Sequence, residues 1–467
     1  VRIAHPILAG LLTLLVLAGL WRHHRPEPLD RYDQRFYLGI AFDLRHHHRF
    51  TDGFLFAGGD DSTERPSGMR FTPLYPALLA AAAQRDPGFA AATDCLVAHR
   101  GIAAGCTRDG GHVRQLQFLM LAATFWMIWW SAVACSGRLR TGWIALPIAL
   151  LTAPLLLLSV DYLMTEIVSL FLATAAQTAA LQATLSRRHQ AAWALVAGLA
   201  LGLAVLARPA FMLLSVTAVA ASGVAALLRP ASRRPAGAFW LGIALPVGPW
   251  ILRNLLVMHR ASLTFGYASH TFVQRLSFDA MDWHQYALSF ACWLPDGNGI
   301  GSLFAGRHAC DVFGWDDHPD SFYAIGIGPM LASTLRAAGG WEHHMRYLVH
   351  TYLLADPLRQ IGWHLMVTLP LALRGLSVDH WWGLLLSIPC ATLTVRALIR
   401  GGPAASRFLL VSLPAWLMLA VNAAIAVDQT RYNLLLVVPF SIAAALAIDA
   451  PRPQRRRFRS RRHRARP

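Results

Sequence analysis

The sequence predicts an all-α polytopic membrane protein, and three observations carry that prediction. Mean hydropathy over the 467 residues is +0.41. Only 14% of the residues are charged, where a soluble domain carries about 25%. Apolar stretches near the roughly 20 residues needed to cross a hydrocarbon core recur along the chain and leave little room for a soluble domain. One membrane-embedded domain over 1–450 with a basic tail over 451–467 is the expected organisation.

Ten spans are readable in order. The first, 3–21, runs into Trp21-Arg22-His23-His24-Arg25 without a small-residue cleavage site, so it reads as an anchor rather than a removed signal, with a cytoplasmic N-terminus. The others are 115–134, 143–160, 167–185, 191–207, 210–228, 238–258, 381–399, 408–427 and 434–450. Arg138 and Arg140, Arg187 and Arg188, Arg229, Arg233 and Arg234, and Arg396, Arg400 and Arg407 all fall in short connections on one side, which the positive-inside rule makes cytoplasmic. The tail from Arg452 to Pro467 adds nine arginines there. Every acid except Asp449 falls on the opposite side or at the outer ends of spans. The formal charge of +17 is therefore a matter of topology and of contact with anionic lipid, not of nucleic-acid binding. A bacterial inner membrane with both termini cytoplasmic is the expected setting.

Two long outer segments remain, 22–114 and 259–380, and these should hold the working face in the periplasm. Amphipathic patterns over 37–44 and 75–83 in the first, and over 357–373 in the second, read as helices lying in the interface; a crossing by 357–373 would reverse the later spans. Cys95 with Cys106, and Cys292 with Cys310, fall in these segments, while Cys135 and Cys390 lie in or beside spans. Two disulfides in an oxidising compartment fit this placement, with four separate thiols as the alternative. Neither pair has the pattern of a zinc site.

Chemistry concentrates at the outer ends of spans. Asp30 and Asp33 follow the first span, and Asp161 and Glu166 form the turn between the third and fourth. Arg208 ends the fifth, Arg253 the seventh, and Asp428 with Arg431 precede the tenth. Ionisable groups near a membrane are costly and mark function by default. Packed together, these would line one outer cavity holding carboxylates, which deprotonate a hydroxyl or bind a divalent metal, and guanidiniums, which grip phosphate. Sugar transfer from a lipid phosphate needs both. Bland readings stand beside this one: helix-start acids, arginines snorkelling to headgroups, and, for His46, His47 and His48, a basic interfacial face, since three consecutive imidazoles on a helix diverge.

Several motifs carry a family resemblance. Asp33-Gln34-Arg35-Phe36-Tyr37 with Ile40-Ala41 resembles the acidic Asp-Glu-x-x-Tyr signature in the first outer loop of GT-C glycosyltransferases, the group of the protein mannosyltransferases and aminoarabinose transferases. Arg70-Phe71-Thr72-Pro73-Leu74-Tyr75-Pro76, Thr165-Glu166, Gly198-Leu199-Ala200 through Leu206-Ala207-Arg208-Pro209, Pro249-Trp250 with Arg253-Asn254, and Arg431-Tyr432 leading to Val438-Pro439 are similar to the same family in the same order. The resemblance implies a GT-C-like fold and sugar transfer from a polyprenyl-phosphate donor to a cell-envelope glycan, lipid or protein acceptor. It implies Asp33 as base, with Arg253, Arg431 and Arg208 on the donor phosphate. Gln34, Tyr37, Asp161 and Glu166 would form the substrate or metal subsite, with a divalent ion as the one cofactor in view. Gln34 departs from the signature, because an amide cannot supply the second negative charge a metal would want. The rival reading is a transporter or flippase of lipid-linked or anionic solutes; no acid falls at the midpoint of any span.

Overall fold

The computed structural model describes residues 4–22, 28–29, 33–53, 65–100, 106, 110–295, 297–306, 308–315, 318–378 and 380–450. Asp30 and the tail beyond 450 lie outside the described residues, which contain helices and no strand.

A first helix, α1 (Ala4–Trp21), precedes α2 (Gln34–His47), α3 (Leu74–Arg85) and α4 (Pro87–Ala98) of the first long segment. Seven helices follow: α5 (Gly111–Ser136), α6 (Leu139–Leu150), α7 (Ala153–Asp161), α8 (Glu166–Leu185), α9 (Gln190–Ala207), α10 (Phe211–Leu228) and α11 (Arg233–Met258). The second segment holds α12 (Tyr267–Ser277), α13 (Trp283–Cys292), α14 (Gly297–Ala305), α15 (Phe322–Ile325), α16 (Leu331–Ala337), α17 (Trp341–Tyr352) and α18 (Pro357–Ser377). Last come α19 (Trp381–Arg400), α20 (Pro403–Ile425) and α21 (Val437–Ile448). Among the described residues nine helices are long and apolar enough to cross a membrane, or ten when α6 and α7 count as one. The protein is an all-α, multi-pass membrane protein.

Two sequence expectations are refined. The stretch 143–160 is not one straight span but the pair α6 and α7, bent by 57°; Pro154 near the start of α7 cannot continue the hydrogen-bond ladder of α6. The stretch 357–373 extends through Pro357–Ser377 and is not among the candidate crossings. Its buried face, His364, Val367, Leu371 and Gly375, packs on α20 and on the turn before α21.

The centre of the bundle is α21, buried from Val437 to Ala445, as a helix apolar on all sides must be. Trp129 and Phe125 of α5 fill the space beside it. At the far end of α21, Asp449 accepts a hydrogen bond from Thr141 Oγ1 at 2.7 Å and faces Arg138 and Arg140 at 3.7 and 3.5 Å. The single acid on the arginine-rich side is thus paired there.

Helices α9 and α11 approach backbone to backbone. A Cβ on Gly198 would collide with the Phe239 carbonyl, and one on Gly242 with that of Leu195; small residues permit such contact between membrane helices. Gly242→Leu is expected to cost about 1–3 kcal/mol through overpacking, read as a lower thermal midpoint in detergent. Gly237→Leu on the same helix, where a Cβ meets nothing within 4 Å, should be neutral. Equal behaviour of the two variants would contradict the close crossing.

Both cysteine pairs of the long segments are disulfides, Cys95–Cys106 and Cys292–Cys310, with Cα atoms 5.7 and 5.5 Å apart. Cys135 and Cys390 are free and buried.

Candidate active site

Asp33 occupies the position just before α2 with helical backbone angles, and its carboxylate makes no capping bond to the helix. One turn on, Tyr37 packs edge-on against Phe71 and Tyr75, each 5.4 Å between ring centres. Burial, reinforced by the Asp33 carboxylate, pushes the Tyr37 phenol well above its ordinary value, so it stays a hydrogen-bond donor.

Glu166 is the first residue of α8, delivered by the turn that follows α7. Its Oε1 stands 3.5 Å from Arg208 Nη1 and 3.6 Å from Arg431 Nε. Its Oε2 is buried and has no hydrogen-bond partner, an arrangement that is costly unless a donor reaches it. Arg208 ends α9 in extended conformation, where Pro209 stops the helix, and its guanidinium lies 4.1 Å over the Tyr432 ring.

Arg431 and Tyr432 sit on a 3₁₀ turn, Thr430–Leu436, that leads into α21. A buried amide chain holds that turn. Asn422 Nδ2 donates to the Tyr432 carbonyl (3.2 Å) and to Asn433 Oδ1 (3.1 Å), and Asn433 Nδ2 donates to Asp428 Oδ1 (2.5 Å). Asp428 is thereby fully buried beneath the turn rather than lining a cavity. Its φ of +43° is left-handed, a conformation aspartate tolerates better than most residues. Gly375 of α18 abuts this carboxylate so closely that a Cβ would collide with it.

These elements line a narrow cleft at the end of the bundle that the two long segments cover. Five sequence candidates line it together: Asp33, Tyr37, Glu166, Arg208 and Arg431. Arg70, Phe71, Thr72, Met164, Thr165, Pro209, Tyr267 and Tyr432 complete the wall. Arg70 stands inside a family-like motif to which the sequence assigns no role, and Tyr267 comes from the second segment with no pattern to announce it. Burial raises the Tyr267 phenol to about 12. Three guanidiniums against two carboxylates leave the cleft net positive.

Three predicted site residues lie behind the wall instead of in it. Gln34 is fully buried; its Oε1 accepts from the Leu163 amide (2.8 Å) and its Nε2 donates to the Pro28 carbonyl (3.1 Å). A glutamate could accept the first bond but not donate the second. Gln34→Glu is expected to lower stability by about 1–3 kcal/mol. Burial resists ionisation of the new carboxyl, so the deficit should vanish below about pH 4, where the unfolded chain is protonated as well; a pH series of thermal midpoints checks this. Asp161 is buried at the end of α7, where its carbonyl accepts from Arg114 Nε at 3.1 Å. Arg253 donates through Nη1 to the Gly68 carbonyl (2.7 Å) and through Nη2 to that of Phe50 (3.3 Å), with Trp250 under its guanidinium at 5.0 Å.

In the wall Asp33 and Glu166 offer carboxylates, and Glu166 already faces two guanidiniums, whose charge opposes a cation beside it; a divalent ion there would rest on Asp33 together with substrate phosphate and water. The ligand atoms of Cys95, His99 and Cys106 lie within 4.8 Å of one another, but the two sulfurs are joined as a disulfide, and zinc takes thiolates.

Neither a protein-family model nor a curated protein matches the chain. Among solved structures it is similar to the Archaeoglobus fulgidus oligosaccharyltransferase in the apo form (12% identity, 96% of this chain and 51% of that one, TM-score 0.42). It is similar also to the archaeal oligosaccharyltransferase AglB from the same organism in complex with an inhibitory peptide and a dolichol-phosphate (11%, 96% and 50%, TM-score 0.48). A third likeness is to ArnT from Cupriavidus metallidurans bound to undecaprenyl phosphate (14%, 96% and 78%, TM-score 0.35). The chain spans about half the length of the archaeal protein. Likenesses of this size carry no functional argument, and the activity has to be read from the chemistry of the cleft.

Proposed function

We propose that this chain is a glycosyltransferase that moves a sugar from a polyprenyl-phosphate carrier to an acceptor hydroxyl, by single displacement with inversion. The observation that carries the reading is the meeting of Asp33 with Arg70, Arg208 and Arg431 in one net-positive cleft at the end of a membrane bundle. Asp33 takes the proton of the acceptor hydroxyl as its oxygen attacks the anomeric carbon. The bond from that carbon to the phosphate oxygen breaks, and the electron pair leaves with the phosphate, where the guanidiniums receive it. Glu166 Oε2, buried without a partner, accepts from a sugar hydroxyl, while the protonated phenols of Tyr37 and Tyr267 donate to sugar oxygens. No metal takes part in this scheme.

A periplasmic orientation is part of the proposal. Both disulfides lie in the two long segments, consistent with an oxidising compartment, and the arginine-rich connections lie at the other end. The lipid tail would enter between helices, and the acceptor is a glycan, a lipid or a protein hydroxyl of the envelope.

The test is incubation of the detergent-purified chain with radiolabelled polyprenyl-phosphate sugars and cell-envelope extract. Label should leave the carrier only when the native chain is present. Absence of turnover, together with movement of carrier lipid across sealed vesicles, would replace this reading by a flippase.

A further inference from the structure

We infer that Arg253 is a positioning residue: with Asp52 it clasps the 65–72 strap, and the strap holds Arg70 at its working height in the cleft. This rests on the proposed transfer reaction for its kinetic arm and on geometry alone for the rest.

The strap is tied at Arg65, Gly68, Met69 and Arg70. Arg65 pairs with Asp43 of α2, whose other oxygen accepts from Thr51 Oγ1 at 2.5 Å. The Gly68 amide donates to the Phe50 carbonyl at 2.8 Å, and the Phe265 amide, from the second long segment, donates to the Met69 carbonyl at 3.1 Å. The Arg70 amide donates to Asp52 Oδ1 at 2.7 Å. Gly68 lies so close to Asp52 and Thr51 that a Cβ there would collide with both. Arg253 closes the arrangement from α11, one guanidinium bridging the carbonyls of Gly68 and Phe50 and so joining the two chain strands that lie side by side. Two residues beyond Gly68, the Arg70 side chain enters the cleft wall, followed by Phe71 and Thr72.

Two consequences separate this role from direct phosphate binding. Arg253 gives its donors to the carbonyls of Gly68 and Phe50 and to Asn254 Oδ1, so the clasp is made of hydrogen bonds, with the Trp250 ring beneath the guanidinium adding to its hold. Arg253→Gln retains an amide that donates to carbonyl oxygens, whereas Arg253→Met retains the stem and no donor. A phosphate ligand would fail equally with either. Arg253 and Arg70 also act through one object, so their substitutions should not add.

The experiment compares native, Arg253→Gln, Arg253→Met, Arg70→Ala and the Arg253→Met/Arg70→Ala pair, measuring donor turnover and, by mass spectrometry, hydrogen exchange of the peptide over 65–72. Arg253→Met should speed exchange of that peptide at least tenfold and lower kcat/KM by 10- to 100-fold, the scale of a misplacement near 1 Å. Arg253→Gln, whose amide donates but ends short of the guanidinium nitrogens, should recover part of the exchange protection that Met loses, and the pair should be no worse than Arg70→Ala. Asp52→Ala, which loosens the strap from the opposite side with Arg253 intact, should reproduce the exchange signature. Unchanged exchange in Arg253→Met overturns the clasp, as does a pair markedly worse than Arg70→Ala. If the native chain turns over no donor, the transfer reading fails while the exchange arm still decides the clasp.

Discussion

Asp33→Asn is expected to lower kcat by roughly 10²- to 10⁴-fold, the contribution of a positioned general base, while leaving the thermal midpoint within the small range of an exposed substitution. The expectation of unchanged stability follows from local structure: the carboxylate is exposed and makes no cap bond to α2, so asparagine of the same shape breaks nothing. The kinetic loss follows from the cleft, where Asp33 is one of two carboxylates and the other, Glu166, is held by Arg208 and Arg431. A carboxylate could instead serve only as a negative charge beside the developing oxocarbenium ion. An acceptor analogue with a more acidic hydroxyl separates the two roles, because it needs less help to lose its proton. If Asp33 is the base, the Asn deficit should shrink with that acceptor. A deficit of constant size would assign Asp33 to electrostatics, and undiminished turnover would remove it from the chemistry.

The spans were legible because the signal for them is local. A run of apolar residues near 20 long has few other uses, and the ten stretches reappear as α1, α5, the bent α6–α7 pair, α8–α11 and α19–α21. The bend was not legible from hydropathy, which runs on through Leu151 and Thr152; the break is steric, set by Pro154. The site was legible in part. Asp33, Tyr37, Glu166, Arg208 and Arg431 each mark a span end or its flank, and packing the spans brings those ends together.

Arg253 obeys the same rule but stands outside the cleft wall, for a physical reason. Its position told where the guanidinium starts, but its partners are the carbonyls of Gly68 and Phe50, 185 and 203 residues away in sequence, and backbone carbonyls leave no mark in a sequence. Gln34 reads in the sequence as a subsite residue that departs from the acidic signature, and in the fold its amide both accepts from Leu163 and donates to Pro28. Asp161 and Glu166 looked equivalent five residues apart, yet the turn between α7 and α8 sends only Glu166 into the cleft. Arg70 arrives on irregular chain and Tyr267 at the first residue of the short helix α12, where neither period 3.6 nor apolar runs offer guidance.

Arg431→Met is expected to lower kcat by about 10²- to 10³-fold, as loss of one preorganised donor at a developing anion does, with a smaller change in KM. The asymmetry comes from the chemistry. A sugar phosphodiester carries one negative charge, and the departing lipid phosphate gains a second as the bond to the anomeric carbon breaks. A guanidinium in the cleft wall therefore binds the transition state more strongly than the donor, and only that difference accelerates the step. The substitution also has a stability cost of about 1–3 kcal/mol, because Glu166, only 6% exposed, loses one of its two guanidiniums. The two effects come apart in the Glu166→Gln/Arg431→Met pair. Removing the buried charge along with its partner should recover most of the thermal midpoint, since an amide tolerates the site better than an unpaired carboxylate. Turnover should stay low, because the phosphate has still lost its ligand. Recovery of turnover together with stability would mean that Arg431 serves only to neutralise Glu166, and the phosphate would then fall to Arg70 and Arg208 alone.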